Sequence, residues 1–230
     1  MSSENITAVL VHGAWADGSS WAKVITRLHH EGINTVTAPL PLTSYEDDVA
    51  ALDAALERID GPAVLAGHAY AGAVIGGTRS TKVQALVYVA ALAPDEGETV
   101  ADVFHRDEPH PSAPQLKPDG RGLIWLPEGA FAEAFAQHAP ADELAVLAAV
   151  QRPITQTCIS VPMRRPRWKD LPSWYLVSEQ DRMIPPRTQS FMAGRMHAHR
   201  QSQPVDHTPG VTAPGIVADL ILQAVRATAS

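Results

Sequence analysis

Residues 64–75 read Val-Leu-Ala-Gly-His-Ala-Tyr-Ala-Gly-Ala-Val-Ile. An apolar run enters Gly67, a helical pattern leaves after Tyr70, and small residues stand at 67, 69, 71 and 72. A turn this tight between strand and helix strains the residue at its tip, and its neighbours must be small for strand and helix to close on each other. Where the turn carries a nucleophile it reads Gly-x-Ser-x-Gly. Here the tip is Ala69 and the second glycine is Ala71. An ordinary strand–turn–helix reads similarly, so the weight of this segment depends on what surrounds it.

The surroundings alternate strand and helix. Short apolar runs at 6–11, 34–38, 63–66, 83–92, 173–177 and 201–205 predict six strands. Helical spacing predicts helices at 20–29 (Trp21, Val24, Ile25 and Leu28 on one face), 44–59, 70–79, 186–196 and 213–227 (with Ile216, Leu220 and Val225). Ser44 can cap the second helix, and Glu46, Asp47 and Asp48 suit its positive end. His29-His30 reads as the end of the first. Continuously apolar strands separated by helices imply a mostly parallel sheet of about six strands with helices on both faces. Right-handed crossovers then bring every strand's C-terminal end to one edge, where such sheets bind ligands.

Residues 94–170 break the pattern. They hold prolines at 109, 111, 114, 118, 127, 140, 153, 162 and 166 and no clear strand. Helical stretches at 130–138 and 141–149, with Phe104, Trp125, Phe131 and Phe135, predict a small helical cap over a pocket. The expected organisation is one α/β core, 1–93 and 171–230, with a cap insertion at 94–170 and no internal repeat.

Composition narrows the function. A net charge of −7 argues against nucleic acid or an anionic membrane as partner. The single cysteine, Cys158, precludes an intramolecular disulfide and suits a reducing compartment. The polar start 1–5 and the short apolar run after it do not read as a signal peptide, and no stretch reaches the ~18 apolar residues of a membrane span. The expectation is a soluble cytoplasmic protein. Oligomeric state has no readable signal.

Three further signals fall at predicted strand ends. Val11-His12-Gly13-Ala14-Trp15 follows the first strand, where a backbone N–H can converge with that of Tyr70 into an oxyanion hole. Asp181 follows the strand at 173–177, and His207 follows the last. Nucleophile, acid, histidine is the chain order that serine chemistry on such a sheet requires. Asp95, past the strand at 83–92, is a second choice for the acid; Asp206 is a poorer one, since neighbours on extended chain point apart. His197 and His199 lack companions for a metal site, and Gly72–Gly77 does not match a dinucleotide fingerprint, so no metal or cofactor is expected. Trp15, Trp125 and Trp168 are candidates for the pocket wall, and each reads equally as core.

Together these residues resemble the α/β-hydrolase superfamily, in particular small serine esterases of the methyl-salicylate esterase and hydroxynitrile lyase branch and their bacterial relatives. The resemblance runs through Val-His-Gly-Ala-Trp, the elbow, Leu-Val-Tyr-Val-Ala-Ala-Leu-Ala-Pro-Asp-Glu-Gly at 86–97, Ser-Trp-Tyr-Leu-Val at 173–177, Asp-Arg-Met-Ile-Pro-Pro at 181–186, and Asp206-His207. It implies oxyanion N–H groups from Ala14 and Tyr70, Asp181 as acid, His207 as base, and a small-molecule ester or related acyl substrate.

Ala69 departs from that pattern and admits two readings. In one, the frame is a carboxylic ester hydrolase acting through an acyl-enzyme, inactivated by alanine in place of serine. Such a loss costs on the order of 10⁶ in turnover while sparing pocket and oxyanion hole. In the other, alanine is the working residue, and the chain is a binding or interaction module, or an acid–base enzyme of lyase or cyclase type using His207 and Asp181. The completeness of the remaining frame favours the first.

Overall fold

The computed structural model describes residues 6–229; the polar start at 1–5 lies outside them, as does Ser230. Six parallel strands form one sheet: β1 (Thr7–Val11), β2 (Asn34–Ala38), β3 (Ala63–His68), β4 (Val83–Val89), and, after the 94–170 segment, β7 (Ser173–Ser178) and β8 (His199–Gln203). Their spatial order is β2-β1-β3-β4-β7-β8. The chain leaves β1 towards one edge and returns on the other side as β3, so the order reverses between them, and the loops after these two strands meet at the switch point where such sheets hold ligands.

Side chains alternate along the strands and divide the core in two. Ala8, Leu10, Val64, Ala66, Ala85, Val87 and Val89 pack towards α1 (Ala22–His30) and α9 (Pro214–Thr228). Val9, Val11, Leu65, Leu86 and Tyr88 face α2 (Tyr45–Glu57), α3 (Ala71–Gly77) and α7 (Pro186–Arg195). Tyr88 and Tyr175 stack across β4 and β7 at 5.8 Å. Ser44 caps α2 by accepting from Asp47 N–H, and His29 and His30 lie in the last turn of α1, as their sequence positions imply.

Several boundaries differ from expectation. The first helix is preceded by a 3-10 turn, Gly18–Trp21, because the Asp17 carboxylate takes Ser19 N–H and starts the turn early. The last strand lies two residues earlier than 201–205. It is an edge strand of polar residues, His-Arg-Gln-Ser-Gln, with no apolar pattern to mark it. His199 thus belongs to β8, its ring stacked on Trp174 at 4.8 Å.

The 94–170 segment is less helical than its spacing suggests. It holds α4 (Val100–Phe104), α5 (Glu128–Ala130) continuing as a π-turn at Phe131–Phe135, and α6 (Ala141–Val150). It also holds two short strands, β5 (Leu123–Ile124) and β6 (Ile154–Thr155), paired antiparallel where no strand was expected. The expected helix at 130–138 ends where Ala136 N–H donates to Phe131, five residues back. Helix α4 escapes a periodicity search because it is one turn long, although its capping box, Thr99 with Asp102, is written in the sequence. Among the described residues no helix is long and apolar enough to cross a membrane.

Candidate active site

The site grows from β3. Residue 69 sits at φ +50°, the left-handed region that only glycine enters freely. Three backbone bonds hold it there. Ala69 N–H donates to Val89 O at 3.2 Å, and its carbonyl accepts from Gly72 N–H at 3.1 Å and Leu92 N–H at 2.9 Å. The small neighbours are obligatory. A Cβ on Gly67 would lie 2.8 Å from Ala71 O, and one on Gly72 2.4 Å from Leu92 O. Gly13, in the loop after β1, is pressed against the same turn: a Cβ there would meet His68 O at 2.9 Å and the Ala69 methyl at 3.0 Å. The expectation of a strained elbow is met in full.

His12 shapes the loop that carries Ala14. Its Nε2 accepts Leu40 N–H at 3.1 Å, which leaves the proton on Nδ1 to donate to Gly13 O at 2.9 Å. Burial lowers its pKa, so the ring stays neutral in this role. Trp15 follows at φ +58°, and its two N–H groups reach into the 94–170 segment: the backbone to Arg152 O at 3.0 Å, the indole to Ile124 O at 2.9 Å. Ala14 and Tyr70 line the same cavity as Ala69, and their N–H groups are in none of the turn, loop and cap backbone bonds among the described residues.

Asp181 and His207 come together from two strand ends. His207 Nδ1 lies 2.8 Å from Asp181 Oδ2, and both side chains are buried. Asp181 also accepts Met183 N–H at 2.7 Å, Ile184 N–H at 2.8 Å and Gln189 Nε2–H at 2.8 Å. These three donors hold it as an acceptor, which assigns the shared proton to the imidazole Nδ1. Behind His207 stands His68, whose Nε2–H donates to the His207 carbonyl at 2.7 Å; the rings lie 4.9 Å apart. Burial first, and the neighbouring His207 second, depress the His68 pKa to about 3. The Phe135 ring closes against His207 at 5.3 Å.

Above these groups opens a cavity of about 410 Å³, with Ala14, Trp15, Ala69, Tyr70 and His207 in its wall. The rest is largely apolar, including Leu92, Phe104, Leu116, Ile159 and Met183. Four sequence candidates fall elsewhere. Trp125, just past the end of β5, is 44% exposed and bonds Asp119 at 3.3 Å; its neighbour Ile124, the last residue of the strand, lines the cavity instead. Asp95 pairs with Lys169 at 2.5 Å, whereas the carboxylate on His207 is that of Asp181. Asp206 also turns away, accepting from Thr208 N–H, Thr212 Oγ1–H and His138 N–H. Trp168 is core, its indole donating to Pro94 O.

Asp48 is a site-supporting residue that spacing did not single out. Buried beneath the elbow, it accepts Tyr70 Oη–H at 2.7 Å and Leu42 N–H at 2.7 Å, and burial raises its pKa. Gln189 and Phe135 are two more, joined to the site only by tertiary contact. Among the described residues no group of three or more His, Cys, Asp or Glu is arranged to hold a metal.

The family model for the alpha/beta hydrolase family matches residues 8–220. The chain belongs to the alpha/beta hydrolase family. Solved structures agree on the fold. A polyneuridine aldehyde esterase superposes with a TM-score of 0.78 at 18% identity, over 95% of this chain and 98% of that one. A pyrethroid hydrolase from Sphingobium faniae JZ-2 gives 0.81 at 21% identity, over 97% and 99%. The methylesterase MES16 from Arabidopsis gives 0.77 at 16%, over 96% and 99%. No curated protein sequence matches the chain. The alpha/beta hydrolase fold, with its parallel six-stranded sheet and helices on both faces, is thus established from sequence and structure alike.

Proposed function

We propose that this alpha/beta hydrolase carries the site of a carboxylic ester hydrolase of the serine type, with alanine where the attacking hydroxyl belongs. The observation that carries the reading is the Asp181–His207 pair, 2.8 Å apart, sharing a cavity wall with a residue 69 held at φ +50°. In the serine form, Oγ of residue 69 attacks the ester carbonyl while His207 Nε2 takes its proton and Asp181 holds the imidazole in orientation. The N–H groups of Ala14 and Tyr70 receive the developing oxyanion. The alcohol leaves with the proton from His207, and water activated by the same ring then cleaves the acyl-enzyme.

As it stands the chain binds such esters without forming the acyl-enzyme. The ligand is a small-molecule ester with an apolar body, which the roughly 410 Å³ cavity and its apolar wall accommodate. The 94–170 segment acts as the cap that closes over it. That structurally similar proteins are named as esterases and a pyrethroid hydrolase supports ester chemistry without fixing the ester.

The test is Ala69→Ser assayed on a panel of aryl and alkyl esters. Turnover that appears with serine and disappears when His207→Ala is added supports the reading. No gain over the alanine chain, with no further effect of His207→Ala, overturns it.

A further inference from the structure

We propose that the chain with alanine at 69 catalyses proton transfer at carbon: His207 removes a hydrogen from the carbon next to a ligand's ketone carbonyl. The inference uses the site assigned above but not its covalent chemistry.

The case begins with the unused nitrogen of His207. Its side chain is only 2% exposed, its Nδ1–H is committed to Asp181, and Nε2 has no protein donor among the described residues. In the serine form a hydroxyl would occupy Nε2. Alanine supplies neither a proton nor a nucleophile, so the Nε2 lone pair is left without a protein partner on a residue that lines the cavity. A basic nitrogen without a protein partner in a cavity wall is a place where a ligand proton can be received.

The second half is the pair of N–H groups from Ala14 and Tyr70. Donors placed for the oxyanion of ester cleavage are equally placed for the oxygen of an enolate, since both put negative charge on a former carbonyl oxygen. Base on one side and N–H donors on the other are what abstraction next to a carbonyl needs. The neighbouring imidazole does not compete for the proton, because burial holds the His68 pKa down at about 3.

The step balances without a co-reactant. The C–H bond breaks and its proton bonds to His207 Nε2, giving imidazolium against Asp181. The C–H electron pair becomes the carbon–carbon double bond of the enolate, and the carbonyl π pair moves onto oxygen. Reversal returns a hydrogen to carbon; in heavy water, after exchange at Nε2, it returns deuterium. The ligand class is an aryl-substituted ketone, whose ring suits the apolar wall and whose lack of an ester bond removes hydrolysis from the readout.

The experiment follows loss of the benzylic proton signal of phenylacetone and of deoxybenzoin in deuterium oxide by NMR, with the chain as it stands. Expected is exchange at least tenfold above buffer for one of the two. His207→Gln should abolish it. Exchange no faster than with His207→Gln overturns the proposal. So does a rate simply proportional to hydroxide, a readout that does not depend on any variant folding. The ester reading fails separately. Ala69→Ser turnover without ketone exchange by the alanine chain sinks only the proton-transfer proposal, and the converse result sinks only the ester proposal.

Discussion

His68 Nε2–H donates to the carbonyl of His207 at 2.7 Å, and the two rings lie 4.9 Å apart. The residue beside the elbow tip therefore fixes the backbone of His207, the proposed base. Because 139 positions separate them, this bond also ties the loop after β8 to the end of β3.

His68→Phe removes the donor and leaves the His207 carbonyl buried without it. We expect a loss of about 1–3 kcal/mol in stability, read by chemical denaturation. In the Ala69→Ser background, kcat should fall more than KM rises, since the ring positions the base and does not line the cavity.

Acid should weaken the fold through the same residue. His68 stays neutral in the folded chain down to about pH 3, whereas an unfolded histidine takes its proton near 6.5. Between those values the unfolded state holds the extra proton, so stability falls as pH drops, by at most roughly 1.4 kcal/mol per pH unit for one group. His12, lowered by burial, acts in the same direction; Asp48, raised by burial, acts against it. Denaturation midpoints from pH 7 to 4 should decline, and less steeply in His68→Gln. Equal slopes would contradict the assignment.

Gly13→Ala drives a methyl to within 3.0 Å of the Ala69 methyl and 2.9 Å of the His68 carbonyl. Backbone must shift to relieve this. The expected result is a destabilisation of about 1–3 kcal/mol, as for other overpacked sites. In the Ala69→Ser background, ester turnover should drop by at least tenfold, from displacement of the loop that carries Ala14.

Trp15→Phe keeps an aromatic ring but removes the indole bond to Ile124 O. Stability should fall by roughly 1–2 kcal/mol. Amide hydrogen exchange should quicken around β5, more than in the central strands. Unchanged protection there would mean that the tether does not hold β5.

The sequence discloses those parts of the site whose demands are local. Gly67, Ala71 and Gly72 are small because strand and helix close within a few residues, and that is visible in a string. Asp181 and His207 are legible through their place after strands. Gln189, Phe135 and Asp48 are not, since each reaches the site from another element and nothing in spacing announces it. Trp125 is the instructive error. Hydropathy prefers the tryptophan, but Ile124, held against Ile154 of β6, lines the cavity, while Trp125 lies just past the strand. The missed strands β5 and β6 share that cause. Two residues cannot display an alternation.

The posture of residue 69 has an evolutionary side. Alanine and serine codons can differ by a single base, and the two side chains differ by one oxygen. The demanding part of the elbow, a left-handed backbone pinned by Val89, Gly72 and Leu92, is already in place and does not depend on which of the two is present. Loss or recovery of a nucleophile at this position is thus a minimal mutational step that leaves the architecture untouched, so neighbouring sequences can exchange one chemistry for another without passing through an unfolded intermediate form.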